Sequence, residues 1–359
     1  MKLAFLGPAS SFDFHQIGGT NSFIRRISQE LLTREICSVD YFLYGTQRRE
    51  IIHTNRFHSR YFSTFNDAVR ELEDFDQIVT VYTPIKNLLQ FKKFCSEQKR
   101  KTTVHVIYWD WPESFLIRNL KIFTYTSIPY NGFSIAVSPR LHSVISKRRK
   151  NSILVMPPVP SDYFITPSDK SVSDKIRVSF IGRIDRGKGI QATLDIFNKL
   201  SDYPEIELSL YGTFWENDPV AKKIHQQLSQ QDLFKYIPVN FHEFSDETEQ
   251  LIRDAFRDTD IFIQPYKKLS STIDMPVLVL EAMASLSALI TTPVGDIPSI
   301  YPKSRCIIPH KHLVNDATQL ITSGREWLPQ ERDKIWTQNE LLHFDTPSIV
   351  DHLIQTMTK

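Results

Sequence analysis

The sequence predicts an α/β protein with two doubly wound, parallel-sheet domains. Short apolar runs alternate with amphipathic segments along the chain, which is typical of parallel strands joined by crossover helices. Glycines follow two of these runs, Leu3–Leu6 and Ile176–Ile181, where a strand leads into a helix. The length of 359 residues exceeds one ordinary core and suits two domains.

The composition indicates a globular protein with 41% hydrophobic and 23% charged residues. The 43 Lys and Arg nearly balance the 41 Asp and Glu, so we predict no nucleic-acid partner. Cys37, Cys95 and Cys306 lack the spacing of metal ligands. We therefore expect no metal and a reducing, cytoplasmic location. The first apolar run is too short for a signal peptide, and no run reaches the length of a membrane span.

The first domain is predicted to cover residues 1–160. A strand at Leu3–Leu6 leads through a loop with Gly18 and Gly19 to a helix at Asn21–Leu32. Glycines at such a turn let the backbone approach a ligand, although a plain turn explains them equally well. Further strands are predicted at Ser38–Leu43, Ile78–Tyr82, Thr103–Tyr108 and Ser134–Ser138, and further helices at Asn66–Leu72 and Asn87–Glu97.

Trp109 and Asp110 directly follow the predicted strand Thr103–Tyr108. Ligands of open parallel sheets bind at the carboxyl ends of the strands. An indole that stacks on a sugar and a carboxylate that accepts from its hydroxyls would form an acceptor site there. The alternative is a loop held by core aromatic residues.

The segment Phe115–Phe123 is apolar with spaced positive charges, and it lies between the basic clusters Lys99–Lys101 and Lys147–Lys150. One interpretation is peripheral contact with an anionic membrane, at its inner face. The other is a solvated helix face with its aromatic residues buried.

The two predicted domains meet at a polar linker, residues 161–175, which follows the stiff segment Pro157–Pro160. The second domain is predicted over 176–330. Its first strand runs into Gly182 and then into a turn that carries Arg183 and Lys188. Arg bridges two phosphate oxygens and Lys adds a point charge, so the pattern favours a diphosphate over a solvated charged turn.

A second anion-binding element is predicted where a helix opens at Pro276. The partial positive charge of a helix start, here at Asp274, Met275, Pro276 and Val277, attracts phosphate. Glu281 lies inside the otherwise apolar helix. Its carboxylate would accept hydrogen bonds from two vicinal ribose hydroxyls.

These motifs resemble glycosyltransferase family 4. The sequence Gly-Arg-Ile-Asp-Arg-Gly-Lys-Gly at 182–189 is similar to one family signature, and Pro276–Ser285 followed by Thr292–Gly295 is similar to another. The resemblance implies the GT-B architecture, with two Rossmann-like domains facing a central cleft. It also implies retaining transfer of a sugar from a nucleotide diphosphate to an acceptor hydroxyl, with no metal and no other cofactor.

The resemblance assigns roles to particular residues. Arg183 and Lys188 would be the catalytic pair that holds the diphosphate. Gly182 and Glu281 would also bind the donor, Glu281 through the ribose. Gly18, Gly19 and residues 274–277 would meet the donor sugar and phosphates. The first domain would hold the acceptor, and the helices of 331–359 would cross back onto it.

The chain departs from the family pattern at three places. Ile273 stands where the family has its first glutamate, and Asp274 either replaces that carboxylate or only caps the helix. Leu286 and Asp296 each stand where glycine is usual.

We therefore expect a hexosyltransferase-type enzyme of glycan, polysaccharide or glycolipid synthesis. Its partners would be a nucleotide sugar and a glycan, a lipid-linked acceptor or another hydroxyl acceptor. The alternatives are a non-catalytic sugar- or nucleotide-binding relative, or another GT-B enzyme such as a nucleotide-sugar epimerase or a phosphorylase. The sequence does not identify the nucleotide, the sugar or the acceptor.

Overall fold

A computed structural model describes residues 1–81, 87–98, 102–110, 115–170, 173–214, 218–240, 244–269, 272–302 and 304–357. The chain divides into two compact units. The first contains Met1–Pro158 and Thr346–Lys359, and the second contains Val159–Asp345. Each unit is built on one sheet of largely parallel strands, so the predicted fold class is confirmed.

The first unit has an eight-stranded sheet in the order β3-β4-β2-β1-β5-β6-β7-β8. All neighbouring strands are parallel except β3 and β4, which form an antiparallel edge pair. The elements are β1 Lys2–Pro8, α1 Gly19–Thr33, β2 Ser38–Tyr44, β3 Arg49–Thr54, β4 Phe57–Phe62, α2 Phe65–Arg70, β5 Gln77–Thr80, α3 Leu88–Gln98, β6 Thr103–Tyr108, α4 Phe115–Thr126, β7 Ser134–Ala136, α5 Pro139–Ile145 and β8 Ser152–Leu154.

The second unit has a five-stranded parallel sheet in the order β11-β10-β9-β12-β13. Its strands β12 and β13 are buried at every position. The elements are β9 Ile176–Arg183, α6 Ile190–Leu200, β10 Ile206–Phe214, α7 Pro219–Leu228, β11 Lys235–Asn240, α8 Asp246–Asp258, β12 Ile261–Gln264, α9 Val277–Ala284, β13 Ala288–Thr291, α10 Ile297–Ile300, α11 Leu313–Thr322 and α12 Gly324–Leu342; the last helix, α13 Thr346–Met357, belongs to the first unit.

The observed units differ from the predicted boundaries at the linker and at the C-terminus. Residues 161–175 lie within the second unit and do not form a separate linker. The buried Lys170 ammonium anchors them by donating to the carbonyl oxygens of Thr259 at 2.6 Å and Ser285 at 2.7 Å. Of the terminal helices, α12 stays with the second unit and only α13 lies with the first, where it packs against α1.

The sequence patterns did not predict the edge hairpin β3–β4. Strand β3 alternates between exposed and partly buried residues because it is the outermost strand, so it lacks an apolar run. The run Asn240–Phe244 is also predicted to be a strand; β11 is Lys235–Asn240, and residues 241–243 lie outside the described ranges. No described helix combines the length and apolarity that crossing a membrane requires.

Candidate active site

The candidate site lies at the carboxyl edge of the second unit's sheet. Strand β9 is central and pairs with β10 and β12. It ends at Arg183, and β12 ends at Gln264. Because adjacent parallel strands end at the same edge, the segments that follow β9 and β12 meet there.

The turn after β9 is organised by Asp185. Its carboxylate accepts one hydrogen bond from the Arg183 Nε–H and another, at 2.9 Å, from the Lys188 backbone N–H. The second bond caps the short 3₁₀ turn Arg186–Lys188. Arg183 and Asp185 also line a groove with Ile184, Asp218 and Ala221. One carboxylate therefore fixes both predicted phosphate-binding residues.

The segment after β12 holds the other side of this turn. The Gln264 side-chain amide donates to the Lys188 carbonyl at 3.2 Å, and the Lys267 N–H donates to the Gly187 carbonyl at 2.9 Å. Gly189 has φ 81°, and a Cβ there would lie 2.0 Å from the Pro265 carbonyl oxygen. Glycine is thus required at 189 both by conformation and by the close approach of the two segments.

The Lys188 ammonium is not paired with a carboxylate of the described residues. Its Nζ lies 4.9 Å from the centre of the Tyr266 ring. Within the described part of the chain, no carboxylate reaches ion-pair distance of this ammonium. Burial, together with the positive charge of Arg183, lowers the pKa of Lys188 to about 7, against the opposing effect of Asp185. A bound anion would relieve this unpaired charge.

Glu281 belongs to the same neighbourhood as Lys188. It is 3% exposed and lies on helix α9. Burial raises the pKa of the Tyr266 phenol, and the nearby Glu281 and Asp185 carboxylates raise it further. Tyr266 therefore lies close to both carboxylates as well as beneath Lys188. Lys188 thus contacts the buried Tyr266 ring, Arg183 is held in the same turn by Asp185, and Glu281 acts electrostatically on Tyr266.

The start of α9 differs in detail from the prediction. Pro276 is the N-cap, with φ −68° and ψ 129°, and the helix begins at Val277. The first helical amides have no intrahelical acceptor and point out of the helix start. Asp274 and Met275 are each 0% exposed. The Asp274 carbonyl accepts from the Asp296 N–H at 2.9 Å. Donor contacts by residues 274–277 stay a prediction.

Two departures from the family pattern have structural explanations. Leu286 adopts φ 53°, a left-handed conformation that favours glycine, and its side chain is 0% exposed. Burial of the leucine side chain offsets the backbone strain. Asp296 has φ −97°, so glycine is not required there, and its carboxylate accepts from the Ser299 hydroxyl. Neither change disturbs the turn around Lys188.

The remaining predicted residues lie in the first unit. Gly18 is the N-cap of α1 and Gly19 is its first residue. Trp109 is 2% exposed, donates its indole N–H to the Val81 carbonyl at 2.5 Å and packs edge-on against Phe23. Trp109 is thus a core aromatic residue and not an exposed stacking platform for the acceptor. Asp110 is exposed, and the next residues, 111–114, lie outside the described ranges.

Sequence reasoning missed Asp185, Gln264 and Tyr266 as parts of the site. Asp185 lies inside the recognised Arg183–Lys188 motif, three residues before Lys188, and this spacing is that of a capping carboxylate. Gln264 and Tyr266 carry no local signal, because only the pairing of β12 with β9 brings them to the turn.

The fold is that of a GT-B protein, and the turn after β9 carries the cations Arg183 and Lys188. Residues 175–323 match the family model of glycosyl transferases group 1. The second unit thus contains a glycosyl transferases group 1 domain, and the predicted enzyme class, glycosyltransferase, is confirmed. No curated protein sequence matches the chain.

Several solved structures share the fold of the chain. Sucrose-phosphate synthase from Thermosynechococcus elongatus gives a TM-score of 0.70 at 14% identity, covering 99% of this chain and 97% of that chain. Anabaena HepE in complex with UDP and glucose gives 0.69 at 13% identity, covering 100% of both chains. Trehalose-6-phosphate synthase OtsA gives 0.68 at 10% identity, covering 100% of this chain and 99% of that chain.

Proposed function

We propose that the protein transfers a sugar from a nucleotide diphosphate to an acceptor hydroxyl, with retention of configuration at the anomeric carbon. The observation that carries this proposal is the unneutralised Lys188 ammonium, held beside Arg183 and near Glu281 at the carboxyl edge of the second sheet. A diphosphate supplies the charge that this turn lacks.

The diphosphate is the leaving group in the proposed reaction. As the glycosidic bond breaks, negative charge grows on its terminal phosphate. Lys188 and Arg183 stabilise this charge in a partly buried setting, where electrostatic interactions are stronger than in water. The first amides of α9 add a helix-start dipole aimed at the same edge. Because these groups neutralise the developing charge, we propose that the reaction requires no metal ion.

Glu281 is proposed to select the nucleotide by accepting hydrogen bonds from the two ribose hydroxyls. Its burial near Tyr266 keeps the carboxylate away from competing water. The structures of HepE with UDP and with UDP-glucose make these ligands the first to test. For retention we propose front-side attack, in which the leaving phosphate takes the acceptor proton and no enzyme nucleophile is needed. A structure of trehalose-6-phosphate synthase was used to study transfer with retention.

The acceptor is proposed to be a glycan, a lipid-linked sugar or another hydroxyl compound of polysaccharide, glycan or glycolipid synthesis, and to be bound by the first unit. The cytoplasmic location stays a prediction; the three cysteines are buried and unpaired in the structure.

The direct test is a transfer assay with a panel of nucleotide sugars and acceptors, with and without EDTA. We expect nucleotide diphosphate release that depends on the acceptor, persists in EDTA and gives a product with the donor's anomeric configuration by NMR. Lys188→Ala and Glu281→Ala should lower kcat by about 10²–10³-fold, the usual cost of losing one charge-stabilising contact. Lys222→Ala, an exposed lysine on α7, is the matched control.

Other outcomes would redirect the assignment. Conversion of the donor sugar without an acceptor would indicate an epimerase, and phosphate-dependent release of sugar phosphate would indicate a phosphorylase. Nucleotide binding without turnover would indicate a non-catalytic relative. An inverted product, or loss of activity in EDTA that Mg²⁺ restores, would contradict the proposed mechanism.

A further inference from the structure

The helix α4 presents an unusual apolar face on the first unit. Four large side chains are mostly exposed: Leu116 is 78%, Ile117 59%, Leu120 67% and Phe123 62% exposed. At 100° per residue these four positions fall within one arc of about 120° on the helix. Ile122 lies outside that arc and is 4% exposed, so it anchors the helix to the unit.

The clustering of these side chains is what requires an explanation. Single exposed apolar residues are normal on a protein surface, whereas a contiguous group marks a site of interaction. The helix packs through Ile122 and leaves two turns of its outer side apolar. Contact with an apolar partner would remove these four side chains from water, which is favourable.

Cations border the same face. The Arg148 guanidinium lies 5.9 Å from the centre of the Phe123 ring. Lys147 and Lys150, on either side of it in sequence, are exposed like Arg148. None of these three forms an ion pair with a described residue. The helix sequence itself contains two basic residues and no acidic one.

Arg149 differs from its neighbours and shows which cations are available. It donates to the carbonyl oxygens of Ile128 and Tyr130 and lies over the Tyr130 ring, with 3.9 Å to the ring centre. It is therefore part of the structure of the first unit. Lys147, Arg148 and Lys150 are exposed and donate no side-chain hydrogen bond to a described residue, so their charges are available to a partner.

We propose that α4 and the flanking Lys147, Arg148 and Lys150 form a docking surface for an anionic lipid membrane. An amphipathic helix binds a bilayer by placing its apolar side among the lipid chains, while neighbouring cations contact anionic head groups. The arrangement fits a membrane better than a protein partner because no acid among the described residues pairs with the cations that border the apolar face. The sites Lys99–Lys101 and 111–114 lie outside the described residues and carry none of this argument.

Vesicle cosedimentation of the full chain tests the proposal independently of the glycosyltransferase reaction. We expect binding to vesicles of phosphatidylcholine mixed with phosphatidylglycerol, weaker binding to phosphatidylcholine alone, and a decrease with added salt. Leu116→Ser and Phe123→Ser should each lower the partition coefficient by about tenfold, since each removes an inserting apolar side chain. Arg148→Ala should lower it by about fivefold.

Matched controls lie on the second unit. Leu341 is 68% exposed on α12, and Lys223 is exposed on α7. We expect Leu341→Ser and Lys223→Ala to bind vesicles like the wild type. Circular dichroism should show unchanged helix content in all variants, because every substituted side chain is exposed.

Three results would overturn the proposal. The first is an absence of wild-type binding to anionic vesicles at low salt. The second is equal loss of binding in the α4 variants and in the controls. The third is concentration-dependent dimerisation that Leu116→Ser abolishes in the absence of vesicle binding, which would assign the face to a second copy of the chain.

Discussion

Two lysines of the second unit, Lys170 and Lys188, have similarly lowered pKa values and different surroundings, because Lys170 is buried and Lys188 is partly exposed. Burial lowers the pKa of each to about 7. The Lys170 ammonium donates to the carbonyl oxygens of Phe256, Thr259 and Ser285. The Lys188 ammonium lies 4.9 Å from the centre of the Tyr266 ring, and no carboxylate of the described residues reaches ion-pair distance of it.

The comparison distinguishes a buried lysine with a structural role from a lysine that is available to a ligand. An ammonium removed from water needs oxygen acceptors, and the chain supplies them at Lys170. At Lys188 the backbone is held by Asp185 and Gln264, yet no residue in the described part of the chain offers the ammonium an acceptor. Precise placement of an unneutralised charge is characteristic of a ligand-binding group.

The largest expected effect is a difference in unfolding free energy between the variants Lys170→Met and Lys188→Met. We expect Lys170→Met to lose about 3 kcal/mol of unfolding free energy, because buried carbonyl oxygens lose their donor. Lys188→Met should change the unfolding free energy by less than about 1 kcal/mol, because it removes an unpaired charge and one ring contact. Urea titration followed by circular dichroism measures both. Equal losses would abolish the distinction between the two lysines.

A smaller effect is expected in the pH dependence of UDP binding, measured by titration calorimetry. The pKa of Lys188 in the unliganded protein is lowered to about 7, and a bound diphosphate would raise it by stabilising the ammonium. Binding therefore takes up a proton above pH 7, and affinity falls with rising pH by up to about tenfold per pH unit.

The variant Lys188→Arg serves as the control for this measurement, since a guanidinium stays charged over the whole range. Its affinity for UDP should be nearly independent of pH between 7 and about 9. The same pH slope in Lys188→Arg and in the wild type would show that Lys188 is not the titrating group.

The smallest effect concerns Leu286, which follows the Ser285 carbonyl bound by Lys170. Leu286→Ala loses buried surface and keeps the left-handed strain, whereas Leu286→Gly loses the surface and relieves the strain. We expect both to be less stable than the wild type, with the glycine variant about 1 kcal/mol more stable than the alanine variant. Urea unfolding gives the order, and an alanine variant at least as stable as the glycine variant would contradict it.

The sequence predicted the elements whose residues are uniformly buried. Strand β6 was predicted with its observed bounds, Thr103–Tyr108, because every position after the first is buried and these positions are apolar except for His105. The hairpin β3–β4 was missed because its outer strand, Arg49–Thr54, pairs on one side only and is partly solvated. A hydrophobic run in the sequence indicates a buried segment. An edge strand is only partly buried, so its sequence lacks such a run.

The site residues that belong to short sequence motifs could be predicted. Arg183, Lys188 and Glu281 belong to two short motifs, and the structure brings both motifs to one edge of the sheet. Trp109 shows the limit: its position after a strand suggested a sugar platform, but a hydrogen bond to Val81 buries it. Contacts of this kind join segments that are far apart in the chain.

The amino-acid order alone determined the α/β class, the two signatures and the residues with phosphate-binding chemistry. These follow from side-chain type and spacing, which act over a few residues. Tertiary structure decided which charges are satisfied. The sequence around Lys170 predicted a linker, whereas in the structure carbonyl oxygens at the ends of α8 and α9 accept hydrogen bonds from its ammonium. At Lys188 the strand order places Gln264 and Tyr266 beside the turn. Gln264 holds the Lys188 backbone, and the ammonium lies over the Tyr266 ring with no acceptor among the described residues.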